Sequence, residues 1–416
     1  MTTSQARPGR TPEAVAARPA AVAVALTFAL NGFTFASWAS RMPAVRDGLV
    51  LSPREVGQLL LVGAVGSLVA LPLSGVVVQR LGARRTVTFF ALLTVTGLLV
   101  AGAGVTATTV WVVAGGLLLF GVGTGMWDAA MNLEGAAVEQ QLRTSVMPRF
   151  HAGFSIGTLI GAGCGALAAW AGLPLPAHLG VALSITVVGV LLCVRRYLPE
   201  GAHNPAASAP GQPRRGALSA WGEPRTLLIG CVVLAAALTE GAANDWVALA
   251  VVDGFGTGDA AGALGFAVFV AAMTAMRFGG TVLLDRFGRV PVLRLSSSLA
   301  LIGLLVFGMS PWLWLAVVGI VAWGAGAALG FPVGMSAASD DPARAAPRVA
   351  VVATVGYSAF LAGPPLLGLV AEHVGYRGAL LVIAAPVVVG LLVVRAAAPL
   401  PTAVRSGDGP APSLDP

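Results

Sequence analysis

Twelve stretches of nearly unbroken apolar sequence, each about 20 residues long, follow one another along this chain of 416 residues. They start near Ala20, Arg54, Thr86, Thr109, Pro148, Ala177, Thr226, Ala260, Val290, Trp312, Arg348 and Tyr376. An α-helix of about 20 residues spans the roughly 30 Å hydrocarbon core of a bilayer. Helical geometry also satisfies every backbone polar group inside the segment, which lipid demands. The pattern therefore predicts an all-α integral membrane protein with twelve transmembrane helices. Only 10% of the residues are charged, against about a quarter in a soluble domain. The formal charge of +7 does not mark a nucleic-acid partner, because the arginines are scattered between apolar segments and make no basic face. Cys164, Cys193 and Cys231 fall inside apolar segments and lack metal-site spacing, so packing is the expected role.

The connections carry the orientation signal. The chain has no lysine, and if the spans alternate, twenty of its arginines fall on one side. The other side receives only Arg41, Arg46, Arg54 and Arg377. Positive residues collect on the cytoplasmic side, which puts both termini in the cytoplasm of a multi-pass inner-membrane protein. The N-terminal arginines precede an apolar run, but no soluble domain follows it, so the run reads as an uncleaved first span. Ser52-Pro-Arg-Glu55 has the form of a capping box with proline at the first helical position, opening the second span from outside. Residues 199–224, rich in Pro, Ala, Gly and Ser, form the one long polar connection. The expected organisation is a tail (1–19), a six-helix bundle (20–198), a cytoplasmic linker (199–224), a second bundle (225–396) and a tail (397–416).

Charged and polar residues inside spans are costly and usually functional. Asp128, Asn132 and Glu139 share a helix face at spacings of four and seven. Asp128 and Asn132 are candidates for solute or proton binding, with a packing hydrogen bond as the structural alternative. Glu139 is expected at the cytoplasmic edge, in an ion pair with Arg143 or Arg84. His151 titrates near neutrality when unperturbed and is a candidate proton relay, or a structural donor at a helix start. In the first span, Asn31, Trp38 and Arg41 are candidates. In the seventh, Glu240 and Asn244 share a face, while Asp245 and Trp246 are expected near the outer surface. Arg277 lies well inside a span and needs a carboxylate or a wet cavity; Glu240 is the first choice of partner and Asp128 the second. Gly153, Gly157, Gly161 and Gly165 recur every four residues, which reads as a helix-packing stripe.

One loop pattern occurs twice. Gly75-x-x-x-Gln79-Arg80-x-Gly82-x-Arg84-Arg85 follows the second span, and Asp285-Arg286-Phe-Gly288-Arg289 follows the eighth, 206 residues later. Such an echo between halves indicates a duplicated bundle. The pattern resembles the cytoplasmic loop motif of the major facilitator superfamily, with Gln79 at the usual Asp and Thr281 at the usual glycine of the second copy. The resemblance implies two pseudo-symmetric six-helix bundles around a central cavity, with these loop residues as a cytoplasmic gate. Asp128-Ala-Ala-Met-Asn132 further resembles the fourth-span E-T-A-A-N of fucose permease-type proton symporters, which implies a proton-coupled acid at Asp128. That family's first-span Asp is replaced here by Ala39. The whole pattern looks closest to uncharacterised bacterial permeases beside the fucose permeases.

The expected function is secondary transport of a small polar solute, sugar-like or similar, by alternating access, with protons as the driving ion. Proton-driven efflux of drug-like compounds is the alternative, and a non-transporting membrane sensor a further one. A P-loop is absent, as are the H-E-x-x-H and G-x-S-x-G patterns, so no enzyme activity, cofactor or metal is expected. The expected partners are the solute, protons and the bilayer, with the chain acting as a monomer.

Overall fold

The computed structural model describes residues 12–142, 146–199, 220–341 and 344–400. Arg143, most of the linker and the ends of both tails lie outside them. The described residues are helical throughout: α1 (Pro12–Ala39), α2 (Met42–Leu49), α3 (Pro53–Leu81), α4 (Ala83–Thr106), α5 (Val110–Leu142), α6 (Met147–Trp170) and α7 (Leu175–Cys193) precede the linker. After it come α8 (Pro224–Phe255), α9 (Asp259–Phe287), α10 (Arg289–Met309), α11 (Leu313–Ala327), α12 (Gly330–Ala338), α13 (Ala345–Leu380) and α14 (Ala384–Val393).

Eleven helical stretches are long and apolar enough to cross a membrane, and the last of them covers 51 residues. A straight helix of that length would measure about 75 Å, more than twice the hydrocarbon thickness. The backbone breaks at Gly375 (φ 74°, ψ 168°), so the stretch makes two crossings and the total is twelve. The same left-handed conformation joins α3 to α4 at Gly82 (φ 79°, ψ 156°) and α9 to α10 at Gly288 (φ 78°, ψ 172°). Only glycine adopts it without strain. Gly75, seven residues upstream, lies inside α3 and makes no turn; Gly82 alone makes the turn of the first motif.

Ser52 and Glu55 form the expected capping box at the start of α3: the Glu55 carboxylate accepts from the Ser52 backbone N–H at 2.8 Å. Two spans are broken, the first at Ser40–Arg41 and the tenth at Ala328–Leu329. Glycines set the closest helix approaches. A Cβ on Gly157 would collide with the carbonyl oxygen of Ala29, which seats α6 on α1 as the stripe predicts. Gly97 brings α4 onto α5, and Gly303, again 206 residues later, brings α10 onto α11.

Helices α1–α7 pack mainly on each other, as do α8–α14; α3 with α13 and α6 with α9 make the main seams between the two bundles. At the end opposite the arginine-rich loops, Gly57 of α3 meets Pro364 and Gly368 of α13 at backbone contact. There Arg46 of α2 also donates to Asp253 of α8 and packs over the Tyr376 ring at 5.9 Å. The bundles are clamped together at that end.

Candidate functional site

A central cavity of about 410 Å³ lies between the bundles, lined from α1, α3, α5 and α6 on one side and α8, α9 and α13 on the other. Seven of the eleven candidate solute and proton residues can be placed by reference to it. Asn31, Trp38, Asp128, Glu240, Asn244 and Asp245 line it. Arg277 reaches its edge from α9 and forks onto Glu240, with Nη2 at 3.0 Å from both carboxylate oxygens. Its Nη1 donates to Ser155 Oγ of the other bundle at 3.1 Å. Its Nε donates to the carbonyl of Ala328 at 3.4 Å, an acceptor freed by the break between α11 and α12. A guanidinium in a span needs such a shell of acceptors.

Asp128 and Asp245 differ from Glu240. Each lines the cavity from its own bundle, and neither receives a hydrogen bond or ion pair from any described residue. Asp245 was expected near the outer surface. It stands instead ten residues inside the end of α8, because that helix runs on to Phe255. Ala39, where the resemblance predicts an acid, does line the cavity. Two carboxylates of the wall, Glu240 and Asp245, come from α8.

The other candidates lie elsewhere. Asn132 is not part of the cavity wall, and its Nδ2 donates to the backbone carbonyl of Asp128 at 2.9 Å. Arg41 is buried, and Nη2 donates to the carbonyl of Leu173, tying the break in the first span to the α6–α7 turn. Trp246 is fully buried and packs against Tyr376, ring centroids 5.5 Å apart, beneath the ring that Arg46 covers at the clamped end. His151 is exposed, stands edge-on to Phe28 at 5.1 Å and is not part of the cavity wall. Residues that the sequence did not single out complete the wall, among them Thr124, Ser155, Thr158, Tyr357 and Phe360. Tyr357, one of three tyrosines in the chain and set within an apolar span, was the available signal.

At the arginine-rich end, Glu139 does not pair with Arg84. It accepts from the backbone N–H groups of Val146 and Met147 at 2.6 and 2.7 Å and so caps α6. Arg289 is also tied locally: it meets both oxygens of Asp340 at 3.0 Å, and Arg225 meets the same carboxylate at 2.9 Å. Glu223, just before α8, holds Arg344 at 2.9 Å and Arg348 at 2.6 Å. All these pairs stay within the second bundle. Arg80, Arg84, Asp285 and Arg286 are exposed; Arg286 lies over the Phe287 ring at 5.3 Å.

Twelve crossings in two like halves, a cavity between them and buried charge at its wall define a membrane transporter. The chain belongs to the major facilitator superfamily, whose family model matches residues 24–340 and 230–415. It is 33% identical over 377 residues to the uncharacterized transporter y4wD of Sinorhizobium fredii, covering 88% of this chain and 97% of that one. Its fold is similar to the solved nucleoside transporter NupG, with a TM-score of 0.73, 16% identity and coverage of 92% and 99%. It is also similar to the E. coli fucose:proton symporter FucP, with a TM-score of 0.56, 15% identity and coverage of 89% and 98%.

Proposed function

We propose that the chain is a proton-coupled secondary transporter of a small polar solute, working by alternating access with Asp128 as the proton carrier. The observation that supports this most is the Asp128 carboxylate, which stands at the cavity wall midway along α5 with no described partner. An uncompensated carboxylate in a span is costly, and a proton removes that cost. The solved neighbours include the fucose:proton symporter and a D-xylose–proton symporter. In this reading the arginine-rich end faces the cytoplasm of a bacterial inner membrane. The clamp of Arg46, Asp253, Gly57 and Gly368 then closes the outer side, and the cavity serves the inner one. Rocking of the bundles would exchange the closed side.

Glu240 and Arg277 have a different role. Their mutual neutralisation leaves the Asp128 charge as the one that a proton switches in the first bundle. Reconstituted vesicles test the proposal. Wild type should concentrate solute when a pH gradient is imposed. Asp128→Asn keeps the shape and should still exchange solute between compartments, yet fail to concentrate it. Wild-type accumulation by this variant, with unchanged pH dependence, would remove the proton role.

A further inference from the structure

The charges around the cavity do not balance. Asp128, Glu240 and Asp245 line it, and among the described residues no Arg, Lys or His does. Arg277, from the cavity edge, neutralises Glu240 alone. If Asp128 is loaded with a proton, Asp245 still needs a partner of its own, which a second proton or a cationic group on the solute would supply. An anionic solute would be repelled by the ionised carboxylate, and the surroundings of Asp245 favour the cation.

Asp245 also opens onto a small recess of about 10 Å³ beside the main cavity, bordered by Gly241, Phe360, Gly363 and Pro364. Its size suits one group about as large as a water molecule. The Phe360 ring borders both spaces, and Tyr357 lies 6.3 Å from it, centroid to centroid. Aromatic faces beside a carboxylate attract a cation. Across the cavity, Asn31 is 3% exposed, lines the wall, and has an amide nitrogen without an acceptor. A buried donor of this kind needs a partner, and a solute oxygen would supply one. Thr124 Oγ1 is likewise unpartnered on the wall.

We infer that the solute is a small hydroxylated compound carrying one protonated amine, with Asp245 as its counter-ion and Asn31 donating to one of its oxygens. This rests on the transport reading above and narrows its substrate class. A proton on Asp128 and a cation at Asp245 together leave the loaded cavity without net charge, the condition under which it crosses between its two open states at least cost.

The test is thermal unfolding of the purified full chain with matched probes: glucosamine against N-acetylglucosamine, and ethanolamine against ethylene glycol. Binding to the folded state raises the melting temperature. The amine of at least one pair should raise it, and its neutral partner should not. Asp245→Asn should weaken the amine roughly tenfold or more, while Asp245→Glu keeps the charge and retains binding. Equal shifts from amine and neutral partner, no shift from either amine, or full amine binding by Asp245→Asn would overturn the assignment. The two readings fail separately. A neutral sugar concentrated by a pH gradient would sustain proton coupling and overturn the amine. Amine binding together with wild-type accumulation by Asp128→Asn would do the reverse.

Discussion

Arg277 shows how far a single residue can be read before its surroundings are known. A lone arginine within a span must find a carboxylate, and Glu240 on the neighbouring helix supplies it in a two-oxygen fork. Removing one member of such a pair strands the other charge. Arg277→Met should therefore destabilise the protein by about 3–5 kcal/mol, and adding Glu240→Gln should recover part of that; melting temperatures in detergent measure both. Glu223 gives a second residue-scale outcome, outside the spans. Burial pushes its carboxyl up, but the bond from Arg348, the Thr226 hydroxyl and the charges of Arg348 and Arg344 outweigh this and hold it below its usual value. A carboxylate depressed in the folded state stabilises fully above its unfolded value, about 4.3. That contribution is lost as pH falls through the lower folded value. The melting temperature should drop on acidification below about pH 4.3, and Glu223→Gln should flatten the drop. An equally steep drop in the variant would count against the Glu223 cluster as its source. Asp245 was harder to place from sequence, because its depth depends on where α8 ends. For Asn132 the side chain turns back to its own backbone, a bond open to any helical Asn and not legible in spacing alone.

Elements were more legible than contacts. Every span start read from apolar runs after the first lies within three residues of the observed helix or turn, while the first, read at Ala20, falls eight residues inside α1; bilayer thickness sets the length of each run. The break at Ala328–Leu329 left no trace in hydropathy, because both flanks are apolar; the carbonyl it frees at Ala328 is met by Arg277. The break at Ser40–Arg41 was legible as the end of an apolar run, and Arg41 there bonds the carbonyl of Leu173. The turn at Gly375 was legible only as a join between two spans. It proves to be a third copy of the loop geometry, Glu372-His373-Val374-Gly375-Tyr376-Arg377, at the other end of the molecule. Arg377 there donates to the carbonyls of Gly254, Phe307 and Ser310 and so caps α8 and α10. Nothing crowds a Cβ at Gly375, so Gly375→Ala isolates backbone strain. It should cost about 1–2 kcal/mol, read as a lower melting temperature. An unchanged melting temperature would mean that the turn relaxes.

At the scale of the whole molecule, the two bundles meet most closely at the end opposite the arginine-rich loops, and the Arg46–Asp253 pair joins them there. Arg46→Ala should loosen that end. Spin labels on the nearby ends of α3 and α13 should then report longer and broader distances than in wild type; an unchanged distribution would show that the Gly57–Gly368 packing holds the closure unaided. The exposed Arg80, Arg84 and Arg286 would engage in the opposite state, when their end closes. The central claim is that a proton on Asp128 moves with the solute, and proton movement is its most direct measure. De-energised vesicles carrying the purified chain would be given, from outside, an amine probe that stabilises it, while external pH is followed. Wild type should alkalinise the medium as solute and proton enter together, and Asp128→Asn should bind the probe without alkalinisation. Equal alkalinisation by the two proteins would contradict the account.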